Sequence, residues 1–275
     1  MQARLLDFFT NQCSLFLLNF NLAQKKFDAD AIHDMRVAFK RIRAVYLLLE
    51  RLFPGSFDMD KAEADLKELF RLSGRMRDAQ VQQTLLEAHE TNLSTTFGEY
   101  KEYLKKTEKK SIKKFLEYLH KSDAESELKK QQQEIVQLIS DTGNEQIRQQ
   151  IILFAHELME TAHNMHTEQE KDENLHEIRR KLKQCHYLLS VIDPNDAGLP
   201  EINARIKRLD KANELLGAWH DHLVAMEMLD RFLDKVREKE IPGLNRYTLL
   251  RENLAEERHL LHVKILKYLG EKLDF

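Results

Sequence analysis

Two stretches of this chain carry the same apolar rhythm at a fixed distance from one another, and that repetition limits the fold more than any other feature. In the first, Ile32, Met35, Phe39, Ile42, Tyr46 and Leu49 recur at spacings of 3 or 4. In the second, Leu175, Ile178, Leu182, Cys185, Leu189 and Ile192 recur at the same spacings in the same order. Such spacing gathers the apolar side chains on one face of an α-helix, the pattern of a helix packed into a bundle. The two stretches are in register, with His33 opposite His176, 143 positions apart. A second pair of motifs follows, Leu72-Ser-Gly-Arg-Met-Arg-Asp78 and Leu215-Leu-Gly-Ala-Trp-His-Asp221, and sets Gly74 opposite Gly217 at that same 143. Two separated motifs sharing one ungapped offset point to an internal duplication.

The punctuation agrees. The chain has only 8 Gly and 4 Pro, and long runs such as Ala62–Leu72 and Arg246–Leu269 contain neither. Each half therefore reads as four helices, over 1–26, 30–52, 58–90 and 95–122, then 144–169, 172–192, 199–238 and 243–272. Pro54-Gly55 and Pro194 close the motif helices. The last helices align seven residues later than the rest, Phe115-Leu-Glu-Tyr-Leu119 with Ile265-Leu-Lys-Tyr-Leu269, one heptad that preserves the facing of the stripe. The expected organisation is all-α, two pseudo-symmetric four-helix bundles over residues 1–125 and 144–275. The polar stretch 126–143 is the connector, with Ile135, Val136, Leu138 and Ile139 marking a part of it that packs.

Net charge is −3, so any anion site must arise by segregating basic residues onto one surface rather than from a general cationic excess. Cys13 and Cys185 both fall in apolar helical runs, which disfavours a disulfide framework. The N-terminal segment lacks the pattern of a signal peptide, since Asp7 and Asn11 interrupt its apolar residues. No uninterrupted apolar stretch reaches the ~18 residues of a membrane span. The expectation is a cytoplasmic chain with no membrane contact.

Beside each apolar stripe runs a basic one. His33, Arg36, Lys40 and Arg43 cover only about 80° of helix surface next to the core face. His176, Arg179, Lys183 and His186 repeat the row. Arg41 and Arg180 add charge beside these rows. Cations flanking a core stripe commonly reach to solvent and pair with acids on neighbouring helices. Here all four positions are basic in both copies although the residues between them differ, as Val37 and Arg180 do. Such rows, without an interleaved acid, call for an anion. On the fourth helix Lys101, Lys105, Lys109 and Lys113 form an i, i+4 row with Lys106, Lys110 and Lys114 beside it, either a solvated face or a wall of the same site. From these, Lys106, Lys109 and Lys113 are taken as site candidates.

A helix carrying His-x-x-Arg-x-x-x-Lys/Arg, followed some 40 residues later by Leu-x-Gly-x-x-Arg-Asp, with the arrangement present twice, resembles the CHAD (conserved histidine α-helical domain) family. The likeness covers essentially the whole chain. The first half fits through His33, Arg36, Lys40, Arg41, Arg43, Gly74, Arg77 and Asp78. The second keeps His176, Arg179, Lys183, Gly217 and Asp221, with His220 where the motif has Arg and His186 opposite Arg43. The resemblance implies basic helix faces lining a central channel that binds inorganic polyphosphate, with polyphosphate granules as one setting. From composition and spacing alone the reading stops at an extended polyanion.

Three other functions compete for the same residues. Phosphoryl chemistry needs a carboxylate-held metal or an activated nucleophile, and neither a Gly-rich phosphate loop nor a convincing carboxylate cluster is visible. Some members of the family carry a β-barrel triphosphatase domain marked by a Glu-x-Glu-x-Lys strand, and the nearest string here, Glu238-Lys-Glu-Ile-Pro242, lacks the Lys. No catalytic role and no cofactor are expected. A metal site is disfavoured because most of the 12 His stand among Arg and Lys, although His220-Asp-His222 and the trio His156, His163 and His166 attract notice. Nucleic acid is a weaker competitor for the same faces, since Phe39 and Tyr46 lie on the apolar stripe and Trp219 reads as core. Asp78 and Asp221 are expected to orient basic neighbours or anchor a helix contact, and Gly74 and Gly217 to allow close helix approach. With His176, His186 and His220 in the second half, affinity is expected to rise as pH falls through about 6.5.

Overall fold

The computed structural model describes residues 1–25, 28–167, 172–193, 199–236 and 243–273, with side chains at all of these but 166, 167 and 172. Pro194 and the string Glu238–Pro242 lie outside the described residues, and so does the side chain of His166. Among the described residues the secondary structure is nine α-helices: α1 Gln2–Lys25, α2 Ala29–Leu52, α3 Met59–Asn92, α4 Gly98–Leu119, α5 Ala124–Ile139, α6 Asn144–Thr167, α7 Asp172–Leu189, α8 Ile202–Val236 and α9 Asn245–Lys272. The all-α expectation holds.

Local chemistry sets the boundaries. Asp28 caps α2 by accepting from the backbone N–H groups of Asp30 and Ala31, and Asp58 caps α3 by accepting from that of Lys61. After α2 the chain turns through Gly55, whose φ of 79° is open to glycine at little cost. Both apolar stripes are buried along their whole length, no residue of either being more than 2% exposed. Helices α2 and α7 begin 143 residues apart, as α3 and α8 do, so the helix order runs in the register of the repeat.

The stretch assigned to a connector is mostly helix α5, which packs against α1. Ala124, Leu128, Gln131, Ile135 and Ile139 are buried, whereas Val136 faces out. A glutamine inside this stripe conceals it in the sequence. Its amide donates to the Ala62 carbonyl at 2.8 Å and accepts from the Tyr46 hydroxyl, so a polar residue at a core position is fully used.

The cores do not divide at the repeat boundary. One cluster gathers α1, α2, α5, α6 and α7 with the N-terminal parts of α3 and α8 and the ends of α4 and α9. A second joins the distal parts of α3 and α8 to the beginnings of α4 and α9. Helices of 34 and 35 residues run about 50 Å, long enough to serve both. Along α3 the first core ends at Met76 and the second begins at Ala79; along α8 they meet between Trp219 and Ala225. Asp78 and Asp221, the last residues of the two downstream motifs, fall at those junctions. No described helix is long and apolar enough to cross a membrane.

Candidate anion-binding site

Helices α2 and α7 pack against each other, and this contact turns the two basic rows toward one another. The Lys40 amine is pushed down to about 7, first by burial and then by Lys183, Arg36 and Arg179. Lys183 is lowered to about 8 by burial, Arg179 and Arg36, against an opposing pull from Asp221. Arg36 falls to about 10 through burial and Arg77, with Asp78 opposing. Cations from both halves thus share one poorly hydrated volume, where each disfavours its neighbour's charge. Among the described residues, Lys40, Arg179 and Lys183 form no hydrogen bond or ion pair, and Arg179 Nε is buried with no partner.

Arg36 is held differently. Its Nη1 donates to the Phe70 carbonyl at 2.5 Å and to Ser73 Oγ at 2.9 Å, and its guanidinium lies 4.0 Å over the Phe70 ring. Gly74 makes the room, because a Cβ there would stand 3.3 Å from Arg36 Nη1. At Gly217 a Cβ would meet nothing within 4 Å, so close approach accounts for one of the two glycines only.

The nearby acids are few and restrained. Surrounding protein holds the Asp78 carboxyl above its ordinary range despite Arg36, and Asp221 pushes it the same way. Asp221 is raised likewise by its surroundings, against the pull of Arg179. Each acts electrostatically on the arginine of its own half. His220 is pressed to about 4 by burial, Arg179, His176 and Lys183, and its ring stands 5.3 Å from that of His176. His33, His176 and His186 also sit below the usual histidine value, in each case chiefly through burial. Arg77 faces the same centre, where its charge acts on His33, Arg36 and Asp221.

Two cavities flank this cluster. One of about 390 Å³ lies between α2, α7 and α3, and Lys40, Arg43, Arg179, Arg180 and Lys183 line it beside Phe70. The other, about 450 Å³, lies between α3, α4 and α8, lined by Arg75, Lys110, Lys114, Arg231 and Lys235 and also by Asp78 and Glu227, the latter paired with Arg231 at 3.0 Å. Asp78 and Arg179, one lining each cavity, feel each other's charge.

Several predicted residues sit at the margin. Arg43 lines the first cavity but is engaged by the fully buried Glu63 at 2.6 Å. Arg180 pairs with Glu177 at 2.9 Å, His186 with Asp210 at 2.9 Å, and Arg41 reaches Gln12 at 3.4 Å. On α4, Lys109 and Lys113 are exposed and line neither cavity, and Lys106 lines a separate one near Arg246. The cavity-facing lysines are Lys110 and Lys114, on the side that carries Thr107 and Ser111. Small hydroxyl residues one turn apart among lysines were the signal for that face. Arg231 and Lys235 lacked any motif to mark them, and Arg75, inside the downstream motif, holds one of its unspecified positions. His156 and His163 are exposed on α6, Trp219 is core, and both cysteines are buried and free.

A family model described as the CHAD domain matches residues 10–230. This chain belongs to the CHAD domain family. Its fold is shared by solved CHAD structures at low sequence identity. The crystal structure of the CHAD domain from the plant Ricinus communis superposes with a TM-score of 0.74 at 16% identity, covering 98% of this chain and 92% of that one. PptA from Streptomyces chartreusis gives 0.71 at 13% identity, over 98% and 99% of the two chains. At these identities the likeness is one of fold. No curated protein matches the chain by sequence.

Proposed function

We propose that this CHAD protein binds inorganic polyphosphate along the basic cavities between its two halves, as a cytoplasmic binding protein rather than an enzyme. The observation that carries the reading is the group Lys40, Arg179 and Lys183, which shares one volume with Arg36 yet has no ion-pair partner among the described residues. Holding amines and guanidinia this close with no carboxylate in ion-pair contact and only the longer-range pull of Asp78 and Asp221 costs stability, and an anion that enters offsets that cost. The family's association with polyphosphate narrows "anion" to a linear chain of phosphates. Two cavities on either side of one cationic group suit an extended ligand better than a compact one. Arg supplies forked donors and Lys a mobile charge to successive phosphates.

Calorimetric titration with long-chain polyphosphate at low and moderate salt, beside single-stranded RNA, tests this. Tight binding that weakens with salt, prefers polyphosphate and collapses in Arg179→Glu/Lys183→Glu is expected. Equal binding of RNA moves the protein to the nucleic-acid reading, and undiminished binding by the variant removes the site. Polyphosphate incubated with the protein should keep its chain length on a gel; shortening would make the protein an enzyme.

A further inference from the structure

A second constellation shares no residue with the basic cluster. His89 on α3, His222 on α8 and Glu257 on α9 bring one ligand atom each to within 4.8 Å of one another. We propose that these three side chains bind a divalent transition-metal ion of the zinc class, pinning α3 of the first half to α8 and α9 of the second.

The hydrogen-bond pattern argues for a cation. His222 Nδ1 stands 2.8 Å from the Ala218 carbonyl. That oxygen can only accept, so Nδ1 carries a proton and a neutral ring has its lone pair on Nε2. Nε2 in turn stands 2.8 Å from Glu257 Oε2, another lone-pair atom. His89 is 3% exposed, and its Nε2 has no hydrogen-bond partner and lies 3.6 Å from the same carboxylate oxygen. One proton satisfies one of these contacts. With His89 protonated on Nδ1, a metal ion satisfies all three lone pairs at once.

The donor set suits such an ion. Two imidazoles and one carboxylate are established zinc ligands and leave a fourth position to water. Bonds of ~2.0–2.1 Å in a tetrahedron separate donors by ~3.3 Å, so the two Glu257 separations of 2.8 and 3.6 Å need shifts of about half an ångström or less, and the imidazoles, within 4.8 Å of each other, close by at most about 1.5 Å. The Ala218 carbonyl on His222 Nδ1 is the kind of outer contact that fixes a ligating ring. Electrostatics separates this trio from the other histidines. His33, His176, His186 and His220 all have Arg or Lys among the charges acting on them. The charged or titrating groups acting on His89 are Glu257 and His222, so a cation is drawn in rather than repelled. The trio is also no product of the repeat: the positions equivalent to His89 and His222 are Phe232 and Ala79, both in the second core.

The test uses untagged full-length protein stripped with a chelator. Titration with Co²⁺ should give the intense visible bands of a four-coordinate site at one ion per chain, bleached by Zn²⁺, and Zn²⁺ should raise the melting temperature. Glu257→Gln keeps shape and leaves the fold intact, and should weaken Zn²⁺ binding by at least about tenfold. His89→Gln should do the same while polyphosphate affinity, measured without metal, stays unchanged. Absence of Co²⁺ bands, or undiminished binding in the folded Glu257→Gln variant, overturns the assignment.

Discussion

The two halves carry the same motif but brace it differently. In the first, Arg36 is fastened to the Phe70 carbonyl and Ser73 and stacked on the Phe70 ring, and Lys40 lies 5.6 Å from the centre of that ring. In the second, the positions equivalent to Phe70 and Ser73 are Asn213 and Leu216, and Arg179 has no such anchor. The downstream arginine is likewise kept as Arg77 in one half and replaced by His220 in the other. With His220 pressed to about 4, that position is uncharged at neutral pH. The site thus pairs a preorganised half with an adaptable one. Preorganised donors bind with little loss of entropy, whereas free side chains can follow an irregular chain.

The largest expected effect tests that split. Arg36→Met and Arg179→Met should each lower polyphosphate affinity by roughly 10–100-fold, the worth of one charge-assisted contact of about 1.5–3 kcal/mol. Their effects on the free protein should differ in sign. Removing Arg179 relieves a crowded cation that has no partner, and should stabilise the fold by about 1 kcal/mol. Removing Arg36 brings the same relief but forfeits two hydrogen bonds and a cation–π contact, and should destabilise by about 1 kcal/mol. Urea unfolding of the two variants decides it, and shifts of one sign in both would show that the bracing is not what separates the halves.

Next in size is the pH response, where the structure moves the titration from histidine to lysine. With His176, His186 and His220 all held below the ordinary value, no rise in affinity centred on 6.5 is expected. Lys40 near 7 and Lys183 near 8 are the groups that change charge around neutrality. A bound polyanion favours the ammonium form, so binding takes up protons and affinity falls as pH rises from 7 to 9. The expected loss is about tenfold, the equivalent of one pKa unit. Calorimetry in buffers of different ionisation enthalpy should show proton uptake at pH 8, and Lys40→Arg/Lys183→Arg should flatten the profile. Stability of the free protein runs the other way. Both lysine values are depressed by folding, so the unfolded chain binds more protons between about pH 7 and 10 and stability rises with pH there. A flat affinity profile in the unaltered protein would mean that the lysines do not meet the ligand.

Much of this was readable from residues alone. The apolar stripes and the positions of all the described helices but α5 follow from periodicity and the fixed offset, whereas a channel shared by the two basic rows was implied only by the family resemblance. Helix α5 was obscured because Gln131 interrupts its stripe, and only the Tyr46 and Ala62 contacts explain a glutamine in the core. The diversion of Arg43 to Glu63, 20 positions away, depends on how α2 meets α3, which spacing within α2 does not encode. The choice of Lys106, Lys109 and Lys113 over Lys110 and Lys114 shows the same limit, since a helix basic on several sides does not announce which side faces a cavity. His89 stands in no motif, and its meeting with His222 and Glu257 requires the second core, which joins the halves beyond the ends of the downstream motifs.

The smallest expected effect lies at the paired glycines and sharpens the comparison most. Within a helix, alanine is favoured over glycine by about 1 kcal/mol. At Gly217 the added Cβ meets nothing within 4 Å, so Gly217→Ala should realise most of that gain and leave polyphosphate affinity unchanged. At Gly74 the Cβ arrives 3.3 Å from Arg36 Nη1, and the guanidinium must yield by a few tenths of an ångström. Its contacts with Phe70 and Ser73 leave it little freedom, so Gly74→Ala should gain about half as much and weaken binding two- to threefold, an order-of-magnitude figure for a perturbed hydrogen bond. Equal gains and equal affinities in the two alanine variants would mean that Arg36 does not depend on the space at Gly74. The braced half would then owe its geometry to Phe70 and Ser73 alone.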